Sequence, residues 1–155
     1  MGVCGHIGLA FDPADESTAI AAVNGEHKGN EWLRYQTKFD LVRENYRELH
    51  LVLQKLAAVD ASLASLATVV DGNRAVGQGP YSPMCLYRAD EIRRMAEAFA
   101  HVSDAVLELA IGEASSEAVE GGFSFPRGLP ETFRNVRSEM EMVAANGWSL
   151  IAFMF

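Results

Sequence analysis

The side chain best suited to proton transfer in this sequence is His50, which lies in the apolar run LHLVL. A histidine works as a general acid or base when a second group orients its ring. Glu48 is close in sequence, whereas Asp90 and Glu91 are suitable carboxylates that only the fold can bring near. A histidine beside core leucines is more often structural and bonds a buried backbone or carboxylate group. We expect that structural role, and His50, Glu48 and Glu91 are the candidate catalytic residues.

Residues 72–83, GNRAVGQGPYSP, contain three glycines and two prolines and raise the question of a phosphate site. A P-loop needs Lys and then Ser or Thr after its last glycine, and the dinucleotide fingerprint needs glycines that open a helix. Neither pattern is present. We expect a connection in which Arg74–Val76 are extended and Gly77–Pro83 loop over the surface. If the stretch instead covers a ligand, the candidate binding residues are Arg74, Tyr81 and Arg88.

Metal and thiol chemistry have weak support in the sequence. Cys4 and His6 are two residues apart and can face the same side of a strand, but no second Cys/His pair completes a site. We expect neither a metal nor a cofactor. Cys4 and Cys85 are too few for a disulfide framework, so buried free thiols are expected.

The composition of the 155-residue chain is that of a globular protein, with 49% hydrophobic and 22% charged residues. Such a chain fits one core, and we expect residues 1–155 to form a single domain. No stretch approaches the roughly 18 apolar residues of a membrane span, and the start MGVCGHIG has no signal-peptide pattern. We therefore expect a cytoplasmic protein that does not associate with membranes.

The formal net charge of -8 limits the class of partner. Binding to nucleic acid needs a surplus of Lys and Arg that displaces counterions, so nucleic acid is not expected. An acidic surface attracts a basic protein. The charge does not specify the oligomeric state.

Two apolar segments at the ends of the sequence predict strands. Val3–Phe11 is apolar with glycine interruptions, and Trp148–Phe155 has almost no polar residue, which is typical of a strand covered on both faces. Between them the patterns are helical. The sequence therefore predicts an α+β fold in which a small mixed sheet includes both terminal strands and is wrapped by about five helices.

Capping residues and apolar spacing place these helices. The first is expected from Pro13 to Val23 after Asp12, and the third from Ala61 to Val70 after Asp60. Ser103–Asp104 starts a turn or short helix, and residues 113–122 are expected to form a mobile connector. Apolar stripes are predicted in the second helix (Phe39, Val42, Tyr46, Leu49, Leu53, Leu56), the third (Leu63, Leu66, Val70), the helix capped near Asp90 (Ile92, Met95, Phe99, Val102) and the last helix (Leu129, Phe133, Val136, Met140, Val143).

Short motifs along the chain resemble the bacterial YfbM-like family. They are the opening MGVCG, the LHLVL run, Gly79–Pro80, the DEI segment at Asp90 and the AANG that precedes the last strand. The resemblance implies an α+β fold and supplies no catalytic residues, because the family is one of unknown function. The sequence departs from the family pattern at Tyr46–Glu48 and at Phe125–Gly128. If the family's aromatic residue near His50 helps to form a pocket, that pocket is altered here.

Two functions remain open from the sequence. The first is a non-catalytic module that binds a basic protein, for instance as an inhibitor or immunity protein. The alternative is an enzyme or binder of small molecules that uses His50 with carboxylates under the Gly77–Pro83 loop. A flat acidic face favours the first, and a deep pocket with His50 and a carboxylate favours the second.

Overall fold

The computed structural model describes residues 6–25, 38–42, 46–72, 74–79, 83–121 and 127–154. Among these residues, two 3-10 segments are found, at Pro13–Asp15 and Ala61–Thr68. The strands are β1 (His6–Phe11), β2 (Lys38–Val42), β3 (Ala75–Gln78), β4 (Pro83–Tyr87) and β5 (Ser149–Met154). The helices are α1 (Glu16–Val23), α2 (Tyr46–Val59), α3 (Ala89–Ala100), α4 (Asp104–Glu120) and α5 (Leu129–Ala145).

The strands form one five-stranded sheet in the order β2-β1-β5-β4-β3. The α+β class and the inclusion of both terminal strands are confirmed, and β5 is central as predicted. All four pairings are antiparallel, so the prediction of a mixed sheet was wrong. Apolarity predicts which segments enter a sheet but not their direction. Here only four residues of sequence separate Gln78 of β3 from Pro83 of β4, which is too few for the crossover that parallel pairing requires.

Alternate residues of the strands face opposite sides of the sheet, and each side has its own core. The larger core joins Ala10, Tyr87 and Leu150 to α2, α3, α4 and α5. The smaller core joins Phe11, Leu86 and Ile151 to α1. Helices therefore cover both faces.

Helix α5 follows its sequence prediction closely. Leu129, Phe133, Val136, Met140 and Val143 are all completely buried, and Phe99 of α3 packs edge-on against Phe133 with a centroid distance of 5.2 Å. Gly147, with φ of +66°, ends the helix in a conformation that a side chain rarely adopts. After this turn the chain enters β5 at Ser149.

Two predicted caps, Asp12 and Asp60, are found, and Ser103 is the cap of α4. Asp12 accepts a hydrogen bond from Ala14 N, Asp60 from Ser62 N, and Ser103 Oγ from Val106 N. Each satisfies a backbone donor that the first turn leaves free. At α3 the capping residue is Arg88, and Asp90 lies in the first turn.

The second helix begins later than predicted. Residues Lys38–Val42 form β2, which pairs with β1, and the helix starts at Tyr46. Phe39 and Val42 therefore do not belong to its stripe, whereas Leu49, Leu53 and Leu56 are buried in it. The spacing of Phe39 and Val42 fits a helix, but pairing with β1 satisfies the backbone and overrides that local pattern.

The third predicted helix is a 3-10 segment. Its period of three residues buries Leu63, Leu66 and Val69, and Val70 is only partly buried. Val70, which was expected to face the core, packs against it while remaining partly exposed.

Helix α4 is much longer than a turn or short helix. It continues to Glu120, and Gly121 is its C-cap, so the prediction of a connector at residues 113–122 was wrong as far as Gly121. Ala114 is fully buried in the larger core. The segment looked polar, but its alanines and glutamates are strong helix formers. Among the described helices, none is long and apolar enough to cross a membrane.

Candidate functional site

The described part of the glycine-rich stretch contains β3, which is an edge strand of the sheet. Residues 75–78 are strand β3, which forms a hairpin with β4, so the strand extends to Gln78 instead of ending at Val76. A Cβ on Gly72 would lie 2.7 Å from Tyr87 Oη, and a Cβ on Gly77 would collide with Asn24 Oδ1. Close packing therefore explains both glycines without a ligand.

The two described cations of this region already have partners. Arg74 forms an ion pair with Glu91, in the first turn of α3, and this hydrogen bond raises the pKa of the Arg74 guanidinium. Arg88 Nε lies 3.1 Å from Glu16 Oε1, at the start of α1. A small anion bound here would have to compete with both carboxylates. Tyr81, the third candidate, lies outside the described residues.

Among the described residues, no hydrogen bond orients the ring of His50 for proton transfer. Within the part of the chain that the structure describes, its buried Nδ1 has no hydrogen-bond partner. No hydrogen bond joins it to Glu48 or Glu91 there, and Glu91 is engaged by Arg74. Among the described residues, the buried partner expected for the ring is not found at Nδ1.

The cysteine and metal predictions are tested only in part. Cys85 is half-buried, and burial raises the pKa of its thiol, which disfavours the reactive thiolate. Cys4 lies outside the described residues, as does the side chain of His6. The described His, Cys, Asp and Glu residues contain no group able to hold a metal ion.

A groove of about 550 Å³ lies between the 3-10 segment Ala61–Thr68 and α3. Ser65 Oγ donates to the Arg94 carbonyl across 3.3 Å, and the Arg94 side chain pairs with Asp90. Glu97 and His101 also line it. Its groups are of both charges, so the groove selects no class of ligand by charge.

The outer face of α4 has charged residues of one sign only, together with exposed apolar side chains. It borders an open groove of about 630 Å³ lined by Ala105, Glu108, Leu109, Gly112, Glu113 and Ser116. Leu109 is 69% exposed and Val119 is 65% exposed. The helix carries acidic residues along its length (Asp104, Glu108, Glu113, Glu117, Glu120) and contains no Lys or Arg.

This acidic face was missed in the sequence because its second half was assigned to a connector. The sequence does contain a helical pattern here, because small and apolar residues follow one another at alternating steps of four and three. They are Ala105, Leu109, Gly112, Ser116 and Val119. Such spacing places all of them on one side of a helix.

The structure is similar to the crystal structure of YfbM from Escherichia coli, a protein of unknown function, with a TM-score of 0.59. The chain has the fold of YfbM. The similarity covers 97% of this chain and 99% of YfbM at 14% sequence identity, so it concerns the fold and transfers no residue roles. No protein-family model matches the sequence, and no curated protein matches it. The resemblance to YfbM seen in the short motifs is therefore confirmed at the level of the fold.

Proposed function

We propose that the chain, as a single YfbM-like domain in the cytoplasm, is a non-catalytic module that binds a basic protein. The observation that carries this proposal is the outer face of α4. This face has exposed apolar side chains, and all its charged side chains are carboxylates. Apolar contact supplies affinity in such an interface, and the carboxylates steer and select a cationic partner. An inhibitor or immunity protein is one form that this function takes.

Among the described residues, one ion pair is found for the carboxylates of α4. Lys55 of α2 forms an ion pair with Glu117, at the edge of the face. For Glu108 and Glu113, no ion pair is found among the described residues. These carboxylates are therefore available to cations of a partner.

The test is capture of proteins from a lysate of the source organism on the immobilised chain, at low and at moderate salt. We expect a basic protein to be retained at low salt and released as the salt rises, because exposed charge pairs are screened. The variant Glu108→Gln/Glu113→Gln should retain less of it. Its control is Glu131→Gln/Glu141→Gln on α5, which removes the same charge elsewhere. Retention that is insensitive to salt, or equal loss in both variants, would contradict the proposal.

A second candidate is the binding of a small molecule at His50. It is favoured by one observation, the buried Nδ1 without a partner among the described residues, because such an atom gains free energy from a ligand that supplies a hydrogen bond. Calorimetry with small carboxylates and phosphate on the wild type and on His50→Leu tests it. Saturable binding that the substitution abolishes would favour this function.

A further inference from the structure

We infer that the outer face of α4 is a coiled-coil seam that takes up one amphipathic helix with Lys or Arg along its flanks. This inference rests on the proposed function and specifies the structure of the segment by which the partner binds. Its seam residues are Ala105, Leu109, Gly112, Ser116 and Val119, and its flanking residues are Glu108, Glu113 and Glu120.

The seam lies opposite the side of α4 that packs on the protein's own core. Leu107, Ala110 and Ala114 face that core and are at most 4% exposed, whereas Leu109 and Val119 are mostly exposed. A surface helix ordinarily has polar residues on its solvent side. Helix α4 is therefore apolar on two opposite sides, and only one of them is covered by the described residues.

The spacing of the seam matches that of helices that pack side by side. Steps of four and three residues repeat with the period of 3.5 that keeps apolar positions on the contact line of a coiled coil. The 17 residues of α4 give a seam roughly 25 Å long. An extended peptide has a period of two and would not match this spacing.

The small residues of the seam allow a helix to approach closely. A Cβ on Gly112 would meet nothing within 4 Å, so the centre of the seam is open. The hydroxyl of Ser116 is already satisfied, because its Oγ donates to the Gly112 carbonyl across 3.0 Å. An apolar side chain of a partner can therefore cover Ser116 without leaving a buried hydrogen-bond donor unpaired.

The flanking charges decide between a second copy of this chain and another protein. In a pair of α4 helices, acidic flanks would face acidic flanks, which disfavours that pairing. A helix with Lys or Arg at the flanking positions places opposite charges beside Glu108, Glu113 and Glu120 instead. The occupant is therefore a basic helix of a different protein.

The probe for this inference is a synthetic helical peptide three heptads long, with Leu at the seam positions and Lys at the flanks. Its binding to the full chain is followed by fluorescence anisotropy. A peptide of the same composition in permuted order, which has no continuous apolar stripe, is the control. We expect saturable binding of the first peptide and at least about tenfold weaker binding of the second.

Two pairs of variants test the apolar seam residues and the flanking carboxylates separately. Leu109→Gln/Val119→Gln keeps the net charge and should weaken peptide binding at least about tenfold, whereas Leu51→Gln/Val59→Gln, at exposed positions of α2, should change it by less than about twofold. Glu108→Lys/Glu113→Lys should abolish binding, and Glu131→Lys/Glu141→Lys on α5 should not. All these positions are exposed, so circular dichroism should show an unchanged fold.

Three results would overturn the inference. They are equal binding of the two peptides, equal effects of seam and control variants, and a dimer of the protein alone that Leu109→Gln/Val119→Gln dissociates. If any of them occurs while a basic protein is still captured in a salt-sensitive manner, the inference that α4 binds a helix is rejected. The proposed function is retained in that case. Failure of that capture is the separate outcome that removes the proposed function.

Discussion

The hydroxyl of Tyr87 donates a hydrogen bond to the carbonyl of Val69 across 3.1 Å, inside the larger core. This contact ties β4 to the end of the 3-10 segment. Tyr87 is 2% exposed, and burial raises the pKa of its phenol well above the ordinary value, so it remains a donor. The hydrogen bond therefore holds the start of the glycine-rich stretch against the sheet.

Tyr87→Phe should lower the free energy of unfolding by about 1–2 kcal/mol, because it leaves a buried carbonyl without its donor. Urea unfolding at neutral pH measures the change. The raised pKa adds a pH dependence: the folded state keeps the phenol proton where the unfolded chain releases it. Stability from this source is complete below pH 10.0, the ordinary pKa, and declines as the pH rises above it. The decline should be smaller in Tyr87→Phe, and equal slopes in both proteins would contradict the assignment.

Gly77→Ala and Gly112→Ala should change stability in opposite directions. A Cβ at Gly77 collides with Asn24, whose Nδ2 donates to the Val76 carbonyl across 2.9 Å, so the melting temperature should fall. A Cβ at Gly112 meets open space inside a helix, so stability should rise by roughly 0.5–1 kcal/mol. Thermal unfolding of the two variants is a matched comparison. Equal shifts would refute the predicted contact at Gly77.

Arg74→Gln/Arg88→Gln should change stability by less than about 1 kcal/mol, because both ion pairs are partly exposed and screened. We also expect no loss of anion binding. Calorimetry with phosphate, nucleotides and simple carboxylates measures this directly. Saturable binding by the wild type alone would show that the cations do form a ligand site.

His50→Leu should leave stability unchanged or raise it by up to about 1 kcal/mol, because it replaces a buried atom that has no partner among the described residues. His101→Leu, at an exposed position, is the control and should have no effect. Denaturant unfolding measures both. A loss of more than about 2 kcal/mol at His50 would mean that the ring makes a favourable hydrogen bond.

The sequence predicted those elements whose local pattern and tertiary environment agree. In α5 the apolar spacing, Pro130 near the start and Gly147 beyond the end all indicate the same helix, and its predicted stripe is buried. Strand β5 was recognisable because it is covered on both faces and therefore apolar throughout.

The missed elements depend on contacts that a local pattern cannot contain. Residues 38–42 are a strand because β1 pairs with them. The end of α4 is a helix because Ala114 packs in the core, although its surroundings in sequence are polar. For the candidate sites, the sequence supplied Arg74 and Arg88, but their pairing with Glu91 and Glu16 joins residues far apart in the chain.

The pairing of β1 with β5 has a consequence for how the protein is made. His6 of β1 lies opposite Met154 of β5. Strand β1 therefore cannot pair with β5 until the ribosome has synthesised helices α1 to α5. Contacts of such long sequence separation slow folding, and until they form the unpaired edge of β1 can associate with other chains. A nascent chain stalled before residue 149 would therefore have the helices but not the centre of its sheet, and would be the form most in need of a chaperone.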